Sequence, residues 1–178
     1  MSPPSAADLA TVAAQLGRTA RDVLAIAART ADGQPAVVAT APRLADGTPF
    51  PTFYYLTHPL LVRAMSQLEA AGRMHDYTAQ VAADDALAAQ YLAAHRAYLA
   101  DRDAVAVVPQ LAGTSAGGMP GRVKCLHALA AHALASGRGV NPIGDRALTE
   151  AAVADQGVAT AIPSWAPAPS PDRATPPV

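Results

Sequence analysis

Two tight turn signals within the first sixty residues constrain the fold more than any other feature. Ala31-Asp32-Gly33 and Asp46-Gly47-Thr48-Pro49 separate three short β-prone runs: Arg21–Arg29 around Val23, Leu24 and Ile26, Pro35–Thr40 carrying Val37 and Val38, and Thr52–Thr57. Parallel neighbours need long crossovers, usually through a helix, and these connections are too short for them, so an antiparallel meander is expected. Around it the spacing predicts helices. Leu9, Val12 and Leu16 recur on one face ahead of Gly17, and a second helix runs over Pro59–Ala71 with Thr57 as its cap and Gly72 as its stop. Asp84 caps a long helix to about Arg102, Pro120 opens another that Gly137 or Gly139 ends, and Asp145 caps a last short one. Between them Ala104–Met119 reads as loop, with a short strand at Val105–Val108. The expected class is α+β, a small three-stranded antiparallel sheet covered by several α-helices. Residues 1–155 read as one domain, and residues 156–178, with six prolines, as a disordered tail in which Trp165 either docks or meets a partner.

A chain of 178 residues can bury a core without staples, but its 51% hydrophobic content is largely alanine, and aromatic residues make up only 4% of the chain. Alanine buries little area, so the helices must approach one another closely. A net charge of −1, from 13 basic and 14 acidic residues, offers no field for nucleic acid or anionic lipid. One cysteine excludes an internal disulfide and fits a reducing compartment. Met1–Leu16 lacks the cationic start and apolar centre of a signal peptide, and no run approaches the ~18 apolar residues of a membrane span. A cytoplasmic protein is expected.

The chemistry concentrates between Ser115 and His132, which hold the sole cysteine, two of the five histidines, two cations and a glycine-rich turn. Gly117, Gly118 and Gly121 free backbone N–H groups to face a ligand, with Arg122 and Lys124 beside them as charge. The phosphate-binding loop spacing of nucleotide enzymes is absent, so the turn points to an anion without naming a nucleotide. On a helix started by Pro120, His127 falls on one border of an apolar arc and Cys125 with His132 on the other. Cys125 and His132 are then two turns apart, roughly 10.5 Å, too far to share one metal ion. Cys125 alone reads as a small buried hydrophobe; as a nucleophile it would need a base such as His132 or His58. On the Asp84 helix, His95 and Arg102 sit within an apolar arc of Leu87, Tyr91, Leu92, Tyr98 and Leu99. A buried cation must find a partner, so this helix is expected to face the pocket. Arg43, held between Pro42 and the Asp46-Gly47 turn, is a further candidate.

Taken together, Thr40-Ala-Pro-Arg43, Asp46-Gly-Thr-Pro-Phe-Pro-Thr52, Tyr54-Tyr-Leu-Thr-His-Pro59, Ser115-Ala-Gly-Gly-Met-Pro120, Arg122-Val-Lys-Cys-Leu-His127 and Gly139-Val-Asn-Pro142 with Gly144-Asp145 resemble the domain-of-unknown-function family numbered 501, typical of actinomycetes. The resemblance covers most of residues 9–150. It carries no activity. The family's gene neighbourhood, a septum formation initiator and an exopolyphosphatase-like enzyme, implies a connection to cell division or polyphosphate. Relatives often carry cysteine at the position of Thr30 and cysteine or histidine at that of His58. The resemblance thus implies a metal site with Cys125 that this chain, with Thr30, holds weakly or not at all.

The ligand site is therefore expected where the Asp46–His58 segment meets the Ser115 turn and the His95 helix. Arg43, Arg122 and Lys124 would supply charge, His58, His95 and His127 titratable donors, Gly117 and Gly118 backbone donors, and Cys125 part of the wall. No catalytic set is complete, no cofactor is named and no metal ligands are assigned. The leading reading is an accessory protein that binds a small anion or a division-pathway partner. Its rivals are a hydrolase or transferase acting on a phosphorylated or acylated substrate through Cys125 or a histidine, and a degenerate metal-binding domain.

Overall fold

The structure, a computed structural model, describes residues 1–166. Helix α1 (Ala6–Leu16) precedes strands β1 (Val23–Arg29), β2 (Pro35–Thr40) and β3 (Tyr54–Leu56); then follow α2 (Pro59–Ala70), α3 (Arg73–Ala83), α4 (Asp85–Asp103), α5 (Leu126–Ser136), α6 (Pro142–Ala154) and α7 (Gln156–Ala161). The strands form one antiparallel sheet in the order β1-β2-β3, as the short turns require. This is the expected α+β class.

Strand alternation assigns the two faces of the sheet. Ile26 and Val38 point to one side, where Val12 of α1 closes a small cluster over them. Val37, Ala39, Tyr54 and Leu56 point to the other, into the main core with α2, α5 and α6. The middle strand β2 is buried at every residue. Helix α5 is the centre of the molecule, with every residue from Ala128 to Ala133 buried. Its alanines let α6 approach until Gly144 lies against the Leu129 carbonyl and the Ala133 methyl, the close contact that an alanine-rich composition calls for.

His132 is part of this core. It is fully buried, stacked on Tyr54 (centroids 5.8 Å apart, 13° between planes) and met edge-on by Tyr98 at 5.2 Å. The side-chain amide of Asn141 donates to its Nδ1 at 3.1 Å, which requires the neutral ring. Burial, opposed by the charge of Asp101, lowers its pKa from 6.5 to about 4. Between those values the unfolded chain takes up a proton that the native state refuses. This contribution to stability is therefore complete above pH 6.5 and falls as pH drops, by roughly 3 kcal/mol at pH 4. Urea unfolding across pH 4–7 measures the slope, and His132→Phe should flatten it by that amount. A variant with the wild-type slope would refute the assignment.

Several boundaries differ from expectation. His58, not Thr57, occupies the N-cap of α2, because the Thr57 hydroxyl turns back to the Ala36 carbonyl. Val105–Val108 forms no strand; Val105 and Val107 are exposed, and a short 3₁₀ turn follows at Pro109–Leu111. Asn141, not Asp145, caps α6 by accepting from the Gly144 N–H at 2.9 Å. Asp145 instead accepts from the Gly139 N–H at 2.7 Å and the Trp165 indole at 2.8 Å.

That last bond belongs to the largest correction. The expected tail from residue 156 opens with a capped helix, α7, whose Gly157 and Val158 N–H groups bond to Asp155. Val158, Ile162 and Trp165 bury themselves in the main core. Five of the six prolines that suggested disorder lie after Ala166; the rest of the expected tail, residues 167–178, is outside the described residues.

Candidate functional site

A cavity of about 1100 Å³ opens between the Pro51–Thr57 stretch, the first turns of α2 and the loop from Gly113 to Lys124, with Cys125, His127 and Ala128 at its base. That is the upper end of the size of small-molecule sites, which run to roughly 1,000 Å³.

The loop is built by its own backbone and held from behind. Gly117 (φ +70°) and Gly118 (φ +91°) occupy the left-handed region, and a Cβ at either would strike a neighbour, Leu129 Cδ2 or the Arg122 carbonyl, at 2.6 Å. The Lys124 N–H donates to the Gly117 carbonyl at 2.7 Å and the Arg122 N–H to that of Gly118 at 3.1 Å, folding the segment back on itself. Outside partners complete it: the Val123 N–H donates to the Thr78 hydroxyl at 3.0 Å and the Tyr91 hydroxyl to the Arg122 carbonyl at 3.1 Å. The helix expected from Pro120 therefore starts only at Leu126; the Met119–Pro120 bond is cis, and Cys125 is the extended residue preceding the helix. Cys125 and His132 do not share a helical border.

Helix α4 explains its polar residues here. Arg102, fully buried, donates to the carbonyls of Thr114 and Leu111 (3.1 Å) and to Asp103 at 3.0 Å. His95 Nδ1 lies 2.8 Å from the Ser115 hydroxyl. Burial first, then the charges of Arg102 and Arg96, lower the His95 pKa and favour its neutral form. Both residues support the loop and do not line the cavity.

The charge of the lining is one-sided. Arg63, Arg122, Lys124 and His127 contribute to it, and among the described residues no aspartate or glutamate does. Among the described residues Arg122 and Lys124 enter no ion pair, whereas Arg63 makes a long one of 3.5 Å to Asp155. His127 stands with Nδ1 3.1 Å from Glu69 Oε1 and Nε2 3.1 Å from the Val62 carbonyl. Both partners are acceptors, so the ring is held doubly protonated. The neighbouring Cys125 sulfur, aided by Glu69 and opposed by burial, raises its pKa to about 9.

Glu69 is the residue that sequence reasoning missed. Its Oε1 also accepts from the Leu126 N–H at 2.7 Å, anchoring a carboxylate at the N-terminus of α5, where the helix dipole favours it. On α2 it reads as an ordinary surface glutamate, and its partners are more than fifty positions away, so no local pattern could have found it. With Cys125 and His127 it brings three ligand-type atoms within 4.8 Å of one another.

Of the nine residues expected at the site, Gly117, Gly118, Arg122, Lys124, Cys125 and His127 line the cavity and Arg43, His58 and His95 do not. Arg43 is spent on the Gly47 carbonyl (2.7 Å) and the Gln110 side chain (2.9 Å). Thr57 and Pro59 reach the cavity, but the His58 ring between them does not; its Nδ1 is buried with no hydrogen-bond partner among the described residues. Burial lowers its pKa, opposed by the charge of Asp32. The expected meeting of His58, His95, His127 and Cys125 is thus reduced to the last two, joined by Glu69.

Residues 26–149 match the family described as Protein of unknown function (DUF501), and the chain belongs to it. No curated protein and no solved structure matches the chain.

Proposed function

Within that family, we propose that this chain binds a small anion bearing one or more phosphate groups, in the cavity between β3 and the Ser115–Lys124 loop. The observation that carries this reading is the sign of the lining: three cations, Arg63, Arg122 and Lys124, and no carboxylate among the described residues, in a chain whose net charge is −1. Ala116, Gly117 and Gly118 add backbone N–H groups that meet no strong protein acceptor among the described residues. Cations and oriented N–H groups are the donors that phosphate oxygens take. The gene neighbourhood implied by the resemblance adds a setting, a cytoplasmic step linked to cell division, in which such a ligand would be met.

The rival reading, acyl or phosphoryl transfer through Cys125, is less well served. It requires a base free to take the thiol proton. Both ring nitrogens of His127 are already engaged by other acceptors, Nδ1 by Glu69 and Nε2 by the Val62 carbonyl.

Calorimetric titration with inorganic phosphate, pyrophosphate and tripolyphosphate tests the proposal. Affinity should rise with the number of phosphates and fall with salt. Losing charge-assisted hydrogen bonds of roughly 1.5–3 kcal/mol should weaken binding at least about tenfold in Arg122→Ala/Lys124→Ala, with the melting temperature unchanged. Heats absent for all three anions, or equal for the double variant, would refute it.

A further inference from the structure

We propose that Glu69, Cys125 and His127 form a site for a divalent transition-metal ion of the zinc type, with its remaining coordination position directed into the cavity. The three side chains come from two elements and offer one oxygen, one sulfur and one nitrogen, all within 4.8 Å of one another. A tetrahedral zinc ion with bonds of 2.0–2.3 Å sets its ligand atoms about 3.3–3.7 Å apart, so a closure of about 1 Å by rotation of side chains would complete the shell. Zinc accepts this mixture of hard, soft and intermediate donors.

The surroundings of the three side chains support the same assignment. A histidine that ligates a metal almost always donates its other ring N–H to a carbonyl or carboxylate, which fixes the tautomer and the ring plane. His127 already does this, through Nε2 to the Val62 carbonyl at 3.1 Å, with the Ser66 hydroxyl 3.2 Å away. Its Nδ1 is thereby aimed at Glu69, and the metal would take the place of the proton shared there. Glu69 is oriented in the same manner: the Leu126 N–H holds Oε1 at 2.7 Å, leaving Oε2 with no protein partner among the described residues. Cys125, ahead of the first turn of α5, is half-buried.

Cys125 and His127 also line the cavity, whereas Glu69 stands behind them. Three protein ligands with one accessible position is the arrangement of zinc sites that bind a water or a substrate oxygen, as opposed to closed structural sites of four ligands. What would occupy that position rests on the anion-binding reading; the presence of the metal does not. Neither His58 nor Thr30 takes part, so this is a different ligand set from the one that the resemblance implied.

Cobalt(II) provides the test, since its four-coordinate complexes absorb strongly in the visible and a thiolate ligand adds a charge-transfer band in the near ultraviolet. The full chain, without an affinity tag and stripped with chelator, is titrated with cobalt alone and then with zinc in competition. One equivalent should bind and show both features. Removing an outer partner of a metal ligand already costs roughly 10–100-fold in affinity, so His127→Ala should lose at least that much. Cys125→Ser should abolish the charge-transfer band, and Glu69→Gln, which keeps an acceptor for Leu126, should weaken binding without unfolding the helix. Absence of stoichiometric cobalt or zinc binding, or a one-to-one cobalt complex of the unaltered chain that lacks the charge-transfer band, would overturn the site. Phosphate titration of the stripped protein runs separately, so either reading can fail while the other stands.

Discussion

Gly144→Ala will destabilise the protein by about 3 kcal/mol, reversing the sign that the same change has in most helices. In an exposed helix interior, alanine is favoured over glycine by about 1 kcal/mol, because glycine loses more backbone entropy on ordering. Gly144, in the first turn of α6, has an ordinary helical backbone, so nothing local forbids a side chain. The obstacle is α5. A Cβ at this position would meet the Leu129 carbonyl oxygen closer than real Cβ atoms approach anything, and the Ala133 Cβ at 2.8 Å. Neither is the end of a flexible side chain that could swing away. The helices would have to separate, which breaks the cap from Asn141 to the Gly144 N–H and, through the same side chain, the bond to His132. For a chain of this size the loss corresponds to a fall in melting temperature of roughly 6–12 °C. Urea unfolding should show a lower midpoint at an unchanged slope. A variant as stable as the parent would mean that α5 and α6 are not packed as described.

Arg102→Met will cost a comparable amount and, unlike the glycine variant, will also weaken the anion site. Methionine can fill much of the same volume, but it removes the guanidinium bonds to the Thr114 carbonyl, to Asp103 and to the Leu111 carbonyl, which keeps only the Thr114 N–H. Hydrogen bonds to a charged group are worth about 1.5–3 kcal/mol each, so a total near 3 kcal/mol is expected. Thr114 through Gly118 line the cavity, so loosening their anchor also spreads the positions of the loop N–H groups. Phosphate affinity should drop by roughly tenfold, about 1.4 kcal/mol, although Arg102 is not in the lining. Arg102→Lys should not rescue either effect, because a single ammonium cannot reproduce the planar fork that reaches two carbonyls and Asp103. Equal affinity in Arg102→Met, measured below its melting transition, would show that the loop holds its shape without α4.

How much of this was legible beforehand differs from element to element. The sheet was, because Asp32-Gly33 and Asp46-Gly47 are turns for local steric reasons and the runs between them are too short for any other pairing. The start of α4 was as well, since Asp84 binds the Leu87 N–H within its own turn at 3.0 Å. Pro120 misled. Its preference for the first turn of a helix is real, but Thr78, Tyr91 and the two glycines bind the segment into a fold-back that no local pattern reports. His95 and Arg102 were recognised as uncomfortable in an apolar arc, and the structure supplies the reason: their partners are the backbone and hydroxyl groups of the loop. His58 and Arg43 were drawn toward the site by their neighbours in the sequence. Yet Arg43 is taken up by the Gly47 carbonyl and Gln110, and His58 stays out of the lining although Thr57 and Pro59 on either side reach it.

The turns of the sheet and the Asp84 cap of α4 came from the chain alone, since each depends on groups within a few positions of one another, whereas the caps of α2 and α6 and the helices α3 and α7 did not. Tertiary structure alone decided which side chains share a cavity. Glu69 meets His127 across 58 positions, and among the described residues Arg122 and Lys124 enter no ion pair although Arg63 and His127 of the same lining do. Electrostatics and coordination act through space over a few ångströms, and a distance of that kind between remote residues is a property of the packed core, not of any segment.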